Sequence, residues 1–152
     1  MSTNGAASAT TRPDARSGGA FSALFDAALA ARTQAYAPYS RFAVGAALRS
    51  VEGGIFAGCN VENAAYPIGT CAEAGAIAAM IAHGHHRIAE CVVIGGDDQF
   101  VTPCGGCRQR LREFASGEVL IHCAKPSGAS ISYTVAALLP ASFGPEHLAE
   151  AR

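Results

Sequence analysis

The sequence predicts a single α/β domain, a three-layer α/β/α arrangement around a mixed sheet of about five strands. Three observations predict it. The chain has 152 residues, half of them hydrophobic, which suits one domain with a sizeable core. Segments with helical spacing alternate with short apolar runs, in the order helix, hairpin, helix, strand, helix, strand, strand. The runs, such as 90–94 (ECVVI), are short and nearly continuous, as expected of strands buried on both faces.

The first 19 residues are small and polar and are expected as a disordered tail ahead of a domain over 20–152. They hold no apolar run of signal-peptide length, and Asp14 argues against a transit peptide. A cytoplasmic protein is expected. Residues 21–35 place Phe21, Leu24, Phe25, Ala28 and Leu29 at helical spacing without Gly or Pro, and so predict a helix. Pro38 breaks it, because the residue before proline is pushed out of the helical region. Residues 42–48 and 54–59 are predicted strands, joined through Gly53-Gly54 as a hairpin. Pro67 and Gly69 mark 60–70 as a loop. The Ala-rich stretch 71–81 predicts a buried helix ending near Gly84. Strand 90–94, helix 104–114, strands 119–123 and 131–134 and a helical turn at 135–139 complete the order.

Composition excludes several functions. Only 15% of residues are charged and the net charge is −1. Nucleic-acid binding needs clustered Lys and Arg, so no nucleic-acid partner is expected. No segment approaches the ~20 apolar residues of a membrane span, so no membrane partner is expected either. The six cysteines are more than the core needs as staples and read as mostly reduced thiols, some holding metal.

Two fragments carry the chemistry. One is Cys71-Ala72-Glu73 and the other is Pro103-Cys104-Gly105-Gly106-Cys107. Cys104 and Cys107 are three apart and share a helix face. Cys71 opens the other predicted helix. Both groups then sit at helix N-termini, where the dipole favours thiolate over thiol. Three thiolates satisfy three corners of a zinc tetrahedron and leave one for water, the arrangement of a catalytic centre. Glu73 stands two residues from Cys71, placed to shuttle protons. Cys104-x-x-Cys107 alone would also fit a redox dithiol or half of a structural zinc site. The redox reading leaves Cys71 and Glu73 unexplained. A structural site would need a fourth ligand from Cys59, Cys91, Cys123 or a histidine. Cys91 and Cys123 lie in apolar strands as small hydrophobes, and His83, His85 and His86 suit a helix C-terminus.

The fragments match the zinc-deaminase pattern of Cys or His, one residue, Glu, then Pro-Cys-x-x-Cys. The chain resembles the small, homotetrameric cytidine deaminases from about residue 21 to 148. The resemblance is carried by 39–47 (YSRFAVGAA), 60–66 (NVENAAY), 70–73 (TCAE), 103–109 (PCGGCRQ) and 138–144 (LLPASFG). It implies Zn²⁺ on Cys71, Cys104 and Cys107, with Glu73 as the proton shuttle. It implies that Asn60 and Glu62 hold the ribose 3′-hydroxyl, that Phe42 packs against the pyrimidine and that the main chain at Ala72 contacts the base. Tyr66 and Phe143 would complete a neighbouring subunit's site in a homotetramer. The implied activity is hydrolytic deamination of cytidine and 2′-deoxycytidine in pyrimidine salvage, with a nucleoside as the small-molecule partner. Many family members carry Arg where this chain has Ala74, so helix dipoles, backbone N–H groups and Arg108 are expected to offset the thiolate charge. Two competing readings are a deaminase of another nucleoside-like compound and a non-catalytic zinc module. Asn60-Val61-Glu62-Asn63 argues for ribose, and the module would need four protein ligands.

Overall fold

In chain order the elements are β1 (Thr10–Arg12), α1 (Gly19–Arg32), β2 (Gly45–Ser50), β3 (Ile55–Cys59), a 3-10 turn (Tyr66–Ile68), α2 (Ala72–Ala82), β4 (Ile88–Ile94), α3 (Gly105–Phe114), β5 (Leu120–Ala124), β6 (Ser130–Thr134), α4 (Val135–Leu138) and a second 3-10 turn (Pro145–His147). They come from a computed structural model that describes residues 10–12 and 19–148. The strands form one sheet in the order β1-β6-β5-β4-β2-β3. β4 and β5 run parallel and the other pairs antiparallel, so the sheet is mixed as predicted. The five predicted strands are joined by a sixth, β1. Its three residues lie in the segment expected as a disordered tail and pair with β6. Gly19, the last residue of that segment, opens α1, and the others lie outside the described residues.

Strand alternation divides the core between two faces. Ala47, Val92, Ile94 and Ala124 face α1, where they meet Phe21, Leu24, Phe25 and Ala28. Ala46, Leu48, Cys91, Val93 and Ile121 face the other way, against Ala72, Ala76, Ile77 and Met80 of α2, Leu111 of α3 and Val135 and Leu138 of α4. Leu24, Phe25 and Leu48 are fully buried. Each such side chain contributes about 1.5–3 kcal/mol relative to exposure.

Two boundaries differ most from expectation, by three residues each. α1 stops at Arg32 rather than at residue 35. The Tyr36 amide donates to the Asn60 carbonyl at 3.0 Å, and the Glu62 amide donates to the Tyr36 carbonyl at 2.8 Å. That bridge draws the chain out of the helix. β2 begins at Gly45 rather than at Phe42. Here the Asn60 side chain replaces the ladder: its Oδ1 accepts from the Val44 amide and its Nδ2 donates to the Phe42 carbonyl, both at 2.8 Å.

α2 lies against β3 at a glycine. A Cβ on Gly58 would stand 2.5 Å from the Ala76 amide nitrogen and 2.7 Å from the Ala72 carbonyl oxygen. Backbone cannot yield as a side chain can, so Gly58→Ala must lift α2 from the sheet. The expected cost is about 3 kcal/mol, the upper end for overpacking. A thermal melt should show a drop of roughly 6–12 °C, and an unchanged melt would contradict this packing. α2 carries Cys71 and Glu73, so the same change should also loosen the site.

Candidate active site

Two helix N-termini converge at the C-terminal end of β4. Cys71 is the N-cap of α2 and Cys104 the N-cap of α3, both with extended backbone. Neither caps with its side chain. Their carbonyls accept the first helical bonds instead, from Gly75 at 3.2 Å and Arg108 at 2.9 Å. The sulfurs are thereby left to face one another. Cys107 lies one turn into α3 and is buried. The Sγ atoms of Cys71, Cys104 and Cys107 all lie within 4.8 Å of one another, and Cys71 and Cys104 are 3.8 Å apart. Among the described residues no fourth His, Cys, Asp or Glu joins the group. Three thiols at this spacing can hold one metal ion.

Glu73 occupies the first turn of α2 and is 4% exposed. Its Oε2 accepts a hydrogen bond from the Cys107 thiol at 3.3 Å. Burial, then the charges of Glu73 and Cys71, pushes the Cys107 thiol far above its ordinary range. Burial also raises Cys71, with the neighbouring Cys104 and Glu73 charges adding to it. Burial acts on Cys104 too, but hydrogen bonds from the Cys107 backbone and the thiols of Cys107 and Cys71 outweigh it and hold its thiol low. The trio therefore resists full ionisation by itself, and a cation is what would let all three sulfurs carry charge.

All six cysteines are free. Burial pushes the Cys123 thiol up to about 12 and the Cys91 thiol well above its usual value, so both are neutral hydrophobes in the core. Cys59 ends β3 outside the metal group.

A cavity of about 300 Å³ opens over the cluster. Phe42, Asn60, Glu62, Ala72 and Glu73 line it together with Cys71 and Cys104. Glu62 accepts from the amides of Tyr39 at 2.9 Å and Ser40 at 3.2 Å and from the Ser40 hydroxyl. The Ser40 hydroxyl bond outweighs the opposing effect of burial and, with the two amides, holds the Glu62 carboxyl below its ordinary range. Tyr66 lines a neighbouring recess of about 310 Å³ with Tyr39, Ser40, Glu62, Asn63 and Gly69. It is 74% exposed and lies outside the cavity of its own chain. Phe143 is 58% exposed, stacks on His147 with ring centres 5.1 Å apart, and lines neither space.

A family model described as cytidine and deoxycytidylate deaminase zinc-binding region matches residues 21–123. The chain belongs to this deaminase family. A cytidine deaminase of Sporosarcina psychrophila is 41% identical over 121 residues, covering 80% of this chain and 89% of its own. One from Mycobacterium tuberculosis is 40% identical over 119 residues, covering 78% and 85%. The crystal structure of cytidine deaminase from Burkholderia pseudomallei superposes with a TM-score of 0.76 at 41% identity, over 80% of this chain and 97% of that one.

Ser40, Val44, Val93, Val101 and Thr102 also line the deaminase cavity, although the sequence assigns none of them a role. Two of these are held by side-chain hydrogen bonds, Ser40 by Glu62 and Thr102 by Arg108. The Arg108 guanidinium donates to the Pro103 carbonyl (2.8 Å), the Leu138 carbonyl (2.9 Å) and the Thr102 hydroxyl (3.0 Å). The expectation that it offsets thiolate charge is met by no hydrogen bond to a sulfur. Arg108 instead ties the loop ahead of Cys104 to the end of α4, and in this deaminase chain the helix N-termini are left to favour the thiolates.

Proposed function

We propose that this chain, through its domain over 20–152, deaminates cytidine and 2′-deoxycytidine hydrolytically as a step of pyrimidine salvage. One observation carries the reading: the three-thiol cluster and the buried Glu73 carboxylate share a cavity with Asn60, Glu62 and Phe42.

The donor set suits zinc. Tetrahedral Zn–S bonds of ~2.3 Å space their sulfurs by ~3.8 Å, and Cys71 and Cys104 stand 3.8 Å apart. Cys71, Cys104 and Cys107 would hold the ion, which when bound supplies Lewis acidity that makes water nucleophilic at neutral pH. Glu73 takes the proton from that water and delivers it to N3 as oxygen adds at C4. It then takes the proton of the added C4 hydroxyl and carries it to the amino group, so that C4=O forms as the C4–N bond breaks and ammonia leaves. The carboxylate is buried and sits in the first turn of α2, so it works in a water-poor site beside the helix dipole. Ala72 offers a first-turn N–H, which has no partner within the helix, to the base. Phe42 gives the pyrimidine an apolar wall. Asn60 has spent one amide N–H and one lone pair, and Glu62 three of its roughly four acceptor sites. What remains on each suits one ribose hydroxyl, which both donates and accepts.

A homotetramer fits the surface around the second recess. Tyr36, Tyr39, Val61, Tyr66 and Ile68 are all exposed. Tyr36 bridges Val61, and the rings of Tyr39 and Tyr66 stand 5.7 Å apart. Burying that surface would bring Tyr66 and Phe143 of one subunit towards another's cavity. Six free cysteines suit the reducing cytoplasm. Among the described residues no helix is long and apolar enough to cross a membrane.

Incubation with cytidine tests the reading. Loss of cytosine absorbance with equimolar ammonia release is the expected result, on protein carrying one zinc per chain. Zinc-loaded protein that leaves cytidine and deoxycytidine unchanged would refute it.

A further inference from the structure

Residues 39–42 turn through a disfavoured backbone. Arg41 adopts φ +57°, the left-handed region that residues with a Cβ seldom enter. On one side of it the Ser40 hydroxyl donates to Glu62 Oε1. On the other side the same oxygen accepts the Phe42 amide N–H at 3.0 Å. Carboxylate, hydroxyl and amide form one continuous chain across Arg41. A hydroxyl that donates to a carboxylate becomes a better acceptor, so the two bonds reinforce each other.

The chain ends on the residue that walls the cavity. Phe42 is 44% exposed and belongs to neither core cluster. Beside the approach of its ring to Gly96, what holds it is its backbone. Asn60 holds the Phe42 carbonyl, and Ser40 holds its N–H. Ser40 and Glu62 also line both the cavity and the neighbouring recess, so the pair stands in the wall between them.

We propose that Ser40 is a positioning residue: its hydroxyl passes the hold of Glu62 to Phe42 and so sets the surface against which the pyrimidine packs. The inference rests on the proposed deaminase function for its kinetic consequence.

The test compares Ser40→Ala, Ser40→Thr, Phe42→Ala and the double variant Ser40→Ala/Phe42→Ala. Ser40→Ala should lower kcat/KM for cytidine about tenfold, carried by KM, the size expected from losing such a bond. Ser40→Thr retains the hydroxyl and should restore it. In the Phe42→Ala background the Ser40→Ala change should cost less than about twofold, because it acts through a ring already removed. Amide hydrogen exchange at Phe42, measured without substrate, should accelerate in Ser40→Ala and not in Ser40→Thr. Additive effects in the double variant would overturn the inference, as would unchanged Phe42 exchange in Ser40→Ala. Wild-type protein inert towards cytidine would instead overturn the functional reading, and the exchange rates would still decide whether Ser40 holds Phe42.

Discussion

Replacing Glu73 by Gln is expected to cut cytidine turnover by about 10²–10⁴-fold while leaving zinc content and fold intact. Gln matches Glu in shape, so it fills the same buried slot in the first turn of α2. Its amide oxygen can still accept the bond that Cys107 now gives Oε2. What it cannot do is take a proton and give it back. Two to four decades correspond to about 3–5 kcal/mol of transition-state stabilisation, more than any other lining residue can supply. Glu62, the other carboxylate in the cavity wall, is committed to Tyr39 and Ser40 and cannot stand in. KM should change little, because the proton transfers belong to the transition state. Steady-state rates with elemental analysis on the same sample check this. A variant within tenfold of the wild-type rate would remove Glu73 from its role.

The sequence was most legible where burial and periodicity coincide. Phe21, Leu24, Phe25 and Ala28 mark one face of α1 and are all buried. The Cys-x-Glu and Pro-Cys-x-x-Cys spacings were legible for a related reason, since both open a helix and helix geometry fixes where a ligand three residues on must lie. Phe42 misled in the opposite direction. Its apolar ring extended the predicted strand, whereas it lines the cavity and belongs to neither core cluster. β1 was invisible because it joins β6 through backbone pairing, and Thr-Thr-Arg offers no apolar alternation. Sheet order, the Arg108 ties and the Ser40 chain were equally hidden. Each depends on groups brought together from distant parts of the chain, and no local pattern encodes such a meeting. Tyr66 and Phe143 are the converse: their sequence context suggests a role, but Tyr66 lines only the neighbouring recess and Phe143 lines neither space.

Removing the metal should cost the protein stability as well as activity. Cys104→Ala isolates that effect, because Cys104 is exposed and its truncation leaves no core cavity. Cys107→Ala would confound it, since that side chain is buried. A ligand held at a thousand times its dissociation constant contributes about 4 kcal/mol to folding. For a chain of this size the loss should appear as roughly 8–16 °C in melting temperature. Chelated wild type and Cys104→Ala should therefore melt at about the same temperature, well below zinc-loaded wild type. A chelator should lower the variant no further. The argument follows from where the ligands sit: Cys71 and Cys104 begin α2 and α3, and Cys107 is one turn on. The ion would join two helices whose N-termini otherwise meet only through thiols that resist shared ionisation. Calorimetry with and without chelator decides it. A wild-type melt indifferent to chelation, or a Cys104→Ala variant that keeps one zinc per chain, would show that the three thiols are not the ligand set.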